Sequence, residues 1–233
     1  MGESNAQEFW LSNLGKANRF NQWVFDQFKD YLGEKVLEVG CGTGTFTFLM
    51  AQQGHDVTGI DLHQPFVDVA GERLARFPNV HVVCADATQQ AWGEKFDTIV
   101  LLDVLEHIKD DVEFLKKLAS DLKPGGRLIL KVPAGVWLFN GMDHAIGHFR
   151  RYSKKSLART VALACLQLEK QAYFNRIGIA GWWLNGSVLR RVTPPSEDVA
   201  RFERLVPFLK TVEEAIPIPI GLSLVARAVP VRA

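Results

Sequence analysis

"VLEVGCGTGTF" (Val36–Phe46) runs from an apolar stretch into three glycines spaced two residues apart. A continuous apolar run that ends on glycine reads as a buried strand followed by a turn, where a ligand can approach the backbone. A dinucleotide fingerprint needs G-x-G-x-x-G after a strand. Gly40 and Gly42 fit it, but the third position is Thr45 and the extra glycine falls one early, at Gly44. A phosphate-cradling P-loop needs Gly-Lys-Ser/Thr, and this stretch has no lysine. The turn therefore suits close approach of a ligand without satisfying either phosphate motif.

Acidic residues near the ends of three strands describe that ligand. Glu38 lies within the strand, where an unpaired carboxylate is costly, and Lys35 is the only cation close in sequence. An ammonium group on the ligand would serve. Asp61, in "GID", follows Gly40 by 21 residues. A carboxylate there can accept from both hydroxyls of a ribose. Asp86, in "CADA", can accept from an adenine amino group. Together they outline an amine, a sugar and a base.

Working outward, strand-like and helix-like stretches alternate. "KVLEVG", "DVTGIDL", "VHVVCAD", "FDTIVLLDV" and "RLILKVP" read as strands. "TFTFLMAQQG", "QPFVDVAGERLARF" and "DDVEFLKKLASDL" between them read as helices. Such alternation predicts a parallel sheet covered on both faces, an α/β doubly wound fold. Further on, "SLARTVALACLQLEKQAYFN" predicts a helix and a strand at about 168–175, and "SLVARAV" (Ser223–Val229) a final strand. The simplest organisation is one domain over 1–233. It has an N-terminal helical cap (1–34) over the site, a ligand-binding core (35–135), and a segment (136–233) with a lid at about 176–220.

Totals exclude some function classes. The 233 residues carry 27 basic and 26 acidic side chains, so no global field draws in nucleic acid. Cys41, Cys84 and Cys165 are far apart and odd in number, which predicts free thiols in a reducing, cytoplasmic setting. No secretory leader is recognisable at the N-terminus, and no apolar run reaches the roughly 18 residues of a membrane span, so stable membrane insertion is not expected.

"VLEVGCGTG", "GID", "CADA", "LLDVLEHI" and "LKPGGRLIL" resemble, in order, the motifs of the class I S-adenosylmethionine-dependent methyltransferases. The branch they look most like contains the ubiquinone-biosynthesis O-methyltransferases. The similarity covers Val36 to about Pro133. It implies a seven-stranded Rossmann-like sheet of order 3-2-1-4-5-7-6 with the last strand antiparallel. It also implies S-adenosylmethionine as cofactor and S-adenosylhomocysteine as product. By resemblance, Glu38, Gly40, Cys41, Gly42 and Gly44 would face the methionine part, and Asp61 and Leu62 the ribose. Asp86 and Ala87 would lie at the adenine, and Leu102 and Asp103 beside the sulfonium.

"NGMDHAIGHFRRYS" (Asn140–Ser153) follows the fifth strand, on the side where open α/β sheets present ligands. His148 is a candidate general base with Asp143 orienting it, since a neutral imidazole suits that work. Arg150 or Arg151 could fork onto an anionic acceptor group, with His144 and Tyr152 beside them. The alternative is structural: Asp143 pairs with an arginine and His148 caps a helix. His107 is a rival base, though local hydrogen bonding accounts for it more simply. No known ligand spacing occurs among Asp143, His144 and His148, so no metal is expected. In "GWWLNG" adjacent tryptophans cannot share a helix face, so Trp183 could line a pocket or pack in a core or dimer contact.

The expected function is methyl transfer to a small-molecule acceptor, most simply an oxygen of an aromatic, lipid-like or natural-product compound. The alternatives are N- or C-methylation of a natural product, or a non-catalytic cofactor-binding regulator. A homodimer is compatible with either.

Overall fold

The apolar run that opens the glycine turn forms strand β1 (Lys35–Val39), buried along nearly its whole length. It is central in a seven-stranded sheet of order β3-β2-β1-β4-β5-β7-β6. The structure is a computed structural model that describes residue 9, residues 15–215 and residues 218–231.

Strands β2 (Asp56–Asp61), β3 (Val80–Cys84), β4 (Phe96–Leu102) and β5 (Leu122–Pro133) run parallel to β1. Strand β7 (Ser223–Pro230) inserts antiparallel between β5 and β6 (Leu166–Phe174). The expected sheet, its order and its antiparallel last strand are thus present. The chain reverses its winding between β1 and β4, which opens a crevice at the carboxyl ends of those strands.

Alternation along each strand divides the apolar residues between two cores. One holds Leu37, Ile99, Leu101, Leu128 and Leu130, covered by α4 (Asp111–Ser120) and α6 (Lys154–Leu163). The other holds Val36, Val57, Val100 and Ile129 beneath α1 (Asn18–Phe25) and Met50 of α2 (Thr45–Gln52). Helix α3 (Gln64–Leu74) packs beside β2 and β3. A short α5 (Gly141–Ala145) precedes α6, and α7 (Gly178–Trp182) leads into one wide turn at Trp183–Val188.

The tail departs from the single lid expected over 176–220. Helix α8 (Ser196–Ala215) packs against α1, and Glu203 accepts from the backbone N–H groups of Arg19 and Phe20. Among the described residues, α7 and the wide turn meet the loop after β5 through Arg151 and Asn140. The expected N-terminal cap falls partly on residues 1–8 and 10–14, outside the described residues. Its described part, α1, packs Trp23 edge-on against Phe174 of β6.

Candidate active site

The glycine turn leaves β1 through left-handed conformations at Gly40 and Gly44, both at φ 74°. A Cβ on Gly40 would lie 2.5 Å from Val104 Cγ2, so only glycine fits there. The amides of the turn are engaged inside the protein. Gly40 and Cys41 N–H both donate to Ile60 O, at 2.8 and 3.0 Å. Gly42 N–H donates to Asp61 Oδ2 at 2.9 Å, and Gly44 N–H to Cys41 O at 2.9 Å. A phosphate would need those donors, so the absence of a phosphate motif has its physical counterpart here.

Asp61 holds the turn together, because its Oδ1 also accepts from His63 N–H at 3.0 Å. Each carboxylate oxygen keeps a further lone pair for a hydroxyl donor. Leu62, directly after it, is 63% exposed and offers an apolar surface. Glu38 is buried on β1 with Thr47 Oγ1 donating to it, and Lys35 pairs with Glu94 and Asp56 instead. Burial, aided by the nearby charge of Asp61, pushes the Glu38 carboxyl up to about 8. A cationic group beside it would restore its charge.

The residues carried over by resemblance lie at the ends of β1 to β4. Asp86 receives N–H and O–H bonds from Thr88 and an N–H from Gln89, so it also shapes the turn after β3. Ala87 is buried and Leu102 half-buried. Asp103 sits at φ 56°, and its carboxylate pairs with the buried Lys131. These residues fit a ligand with a cationic end and a sugar, and not a phosphate ester.

On the other side of the crevice, the loop after β5 folds into a charged knot. Asn140 and Asp143 cap α5 reciprocally: Asn140 Oδ1 accepts from Met142 N–H and Asp143 Oδ2 from Asn140 N–H. Asp143 Oδ1 then lies 2.8 Å from both His148 Nδ1 and Arg151 Nε. Burial would raise the Asp143 carboxyl, but the bonds from His148 and Arg151 outweigh it and hold the carboxyl below its usual range. With Nδ1–H donated to a carboxylate, His148 keeps its lone pair on Nε2. That atom is 3.6 Å from Glu106 Oε1, too long for a hydrogen bond. The ring meets His107 edge to face at 4.7 Å.

Glu106 is the residue the sequence reading passed over. It is wholly buried in the turn Leu105–His107 after β4, and neither carboxylate oxygen has a hydrogen-bond partner among the described residues. Burial, reinforced by Asp103, raises its carboxyl well above the ordinary range. Burial and the neighbouring His148 push His107 down to about 4, so that imidazole is neutral at neutral pH. Glu106, His107 and His148 each place one possible metal-ligand atom within 4.8 Å of the others. That is a different set from the Asp143–His144–His148 window considered in the sequence.

Two expected acceptor contacts need correction. Tyr152 is a core residue whose hydroxyl donates to Asp111 at 2.8 Å. Arg151 is buried, committed to Asp143 and to Ala134 O, and stacked 4.5 Å over the Trp182 ring, so it cannot fork onto a substrate. Trp183 is half exposed, while its neighbour Trp182 lies against Arg151. Arg150 binds Asp111 and Lys109 O, and His144 stands exposed with its edge to Phe139.

Residues 37–130 match the family described as a methyltransferase domain. A ubiquinone biosynthesis O-methyltransferase of Coxiella burnetii is 36% identical over 132 residues, covering 53% of this chain and 56% of the relative. The chain thus spans about half the length of the curated relatives it matches. Among solved structures, a Burkholderia thailandensis 1,6-didemethyltoxoflavin-N1-methyltransferase with bound S-adenosylhomocysteine superposes at TM-score 0.60 and 19% identity. That superposition covers 91% of this chain and 77% of the other. The [4+2]-cyclase SpnF superposes at TM-score 0.62 and 19% identity over 92% of this chain and 82% of the other. At such identities the likeness establishes the fold and not the chemistry. The strand order and the glycine turn agree with the match of residues 37–130 to a methyltransferase domain.

Proposed function

We propose that this protein transfers a methyl group from S-adenosylmethionine to an oxygen of a small aromatic or lipid-like acceptor. The observation that carries the reading is the Asp143–His148 pair, fixed by buried Arg151 beside the carboxyl end of β4. When bound, the cofactor supplies an electrophilic methyl carbon on a positively charged sulfur. Glu38, Gly40, Cys41, Gly42 and Gly44 would hold its amino-acid end, and Asp61 and Leu62 its ribose. Asp86 and Ala87 would face its base, and Leu102 and Asp103 its sulfur.

His148 Nε2 takes the proton that an acceptor hydroxyl releases, and the Asp143 carboxylate stabilises the imidazolium. The uncharged His107 next to it can serve as a hydrogen-bond partner without repelling that cation. The names of the relatives matched over about half their length, ubiquinone biosynthesis O-methyltransferases, support oxygen over nitrogen. The reading requires neither a metal nor a nucleic acid.

Calorimetry with S-adenosylmethionine and S-adenosylhomocysteine tests the cofactor, and labelled-methyl transfer across phenols, carboxylic acids, amines and lipids tests the acceptor. His148→Gln and Asp143→Asn should lower turnover by about 10²–10⁴ while cofactor affinity stays unchanged. Near-full turnover in both variants would sink the acid–base role. Absence of cofactor binding would sink the whole reading, and binding without transfer to any acceptor class would favour a regulatory module.

A further inference from the structure

The strap that crosses the acceptor side has two unlike faces. Residues 177–196, "IGIAGWWLNGSVLRRVTPPS", carry Arg190 and Arg191 and no acidic residue, in a chain whose charges otherwise nearly cancel. The turn Trp183–Val188 is wound so that Leu189 N–H donates to Leu184 O at 2.9 Å, five residues back. Trp183, Leu184 and Val188 belong to this turn, and Leu189 follows it directly.

All four of those side chains are about half exposed, at 47–49%, while Asn185 and Gly186 face inward and are buried. The inward face is seated firmly. A Cβ on Gly186 would lie 2.4 Å from the Asn140 side chain, and Asn185 bonds Gly181 O and Arg191. Trp182 lies against Arg151, which holds Asp143. The apolar side chains point outward because the strap is fixed from within.

We propose that the outward face of residues 183–192 docks on an anionic lipid surface. An aromatic and aliphatic patch followed by arginine, without acids between, is the pattern of a segment lying in a membrane interface. Val192 and Arg190, both exposed, continue the patch past the turn. Five apolar side chains are far fewer than the roughly 20–30 residues a side of a stable protein interface. No described helix is long and apolar enough to cross a membrane, so the contact is peripheral. Docking would set the charged knot of Asp143, His148 and Arg151 close to the bilayer surface. It stands whether or not the acceptor is itself a lipid.

Sedimentation of the full chain with vesicles of phosphatidylcholine, with and without phosphatidylglycerol, tests this. The protein should sediment with the anionic vesicles, and added salt should release it. Trp183→Ser combined with Leu184→Ser should weaken binding by about tenfold or more. Arg190→Glu should weaken it by about fivefold or more, and only on the anionic vesicles. An unchanged melting temperature and unchanged S-adenosylmethionine affinity would show that the variants remain folded. Failure to bind anionic vesicles, or equal binding by wild type and variants, would overturn the proposal. So would a dimer or a soluble-protein complex that accounts for the patch and is lost in the same variants.

Discussion

The two sides of the crevice are built by different means. On the side proposed for the cofactor, the backbone does most of the work. One turn closes on Ile60 O and Asp61, all within contiguous motifs of β1 and β2. On the side proposed for the acceptor, side chains from four separate places converge: Glu106 after β4, Asp143 in α5, His148 and Arg151 in the loop, and Trp182 in the strap. A backbone-built site tolerates little change of shape. A site built from buried charges tolerates little change of charge.

The largest expected effect lies on the acceptor side. Arg151→Ala leaves the buried Asp143 carboxylate without its guanidinium and Ala134 O without its donor. Loss of one partner from a buried ion pair costs about 3–5 kcal/mol, read as a lower urea midpoint at unchanged slope. A loss below about 1 kcal/mol would mean that the knot is wetter than its burial shows, and the contrast between the two sides would weaken.

Next comes a pH effect that sets Glu38 against Glu106. The Glu38 carboxyl is raised from 4.5 to about 8 in the folded protein. Its contribution to stability is fully present below 4.5 and is lost as pH rises through 8, at roughly 1.4 kcal/mol per pH unit between. Glu38→Gln should flatten the stability profile across that window. The decline that remains belongs to Glu106 and Glu213, whose carboxyls burial also raises. An unchanged profile would show that Glu38 stays ionised, with a cation at hand.

Strands β1 to β5 were legible because their apolar runs are long and each ends on a recognisable turn. The order of the last two strands came by resemblance, and β7 does lie between β5 and β6. The acceptor side was only half legible. Asp143, His148 and Arg151 lie within nine residues of chain, so their pairing could be anticipated. Tyr152 could not be separated from them, because a one-residue step turns its side chain into the core. Glu106 gave one faint signal, an acid between buried Leu105 and His107 where β4 ends. Its proximity to His148 depends on Phe149 N–H donating to Glu106 O at 2.9 Å, a contact remote in sequence.

The smallest effect is the most local. Asp61 Oδ2 accepts from Gly42 N–H and Oδ1 from His63 N–H, so the carboxylate spans the glycine turn and the start of α3. Asp61→Asn keeps the shape but replaces one oxygen with a donor that faces an N–H. One bond is lost and a mild repulsion gained, about 1–1.5 kcal/mol of stability. If the same oxygens also receive ribose hydroxyls, S-adenosylmethionine affinity should fall by at least tenfold, more than that local loosening explains. Gly40→Ala provides the control, because it strains the same turn through Val104 and leaves the carboxylate alone. Should both variants lose affinity equally, Asp61 acts only by holding the turn, and the cofactor side is a matter of backbone shape throughout.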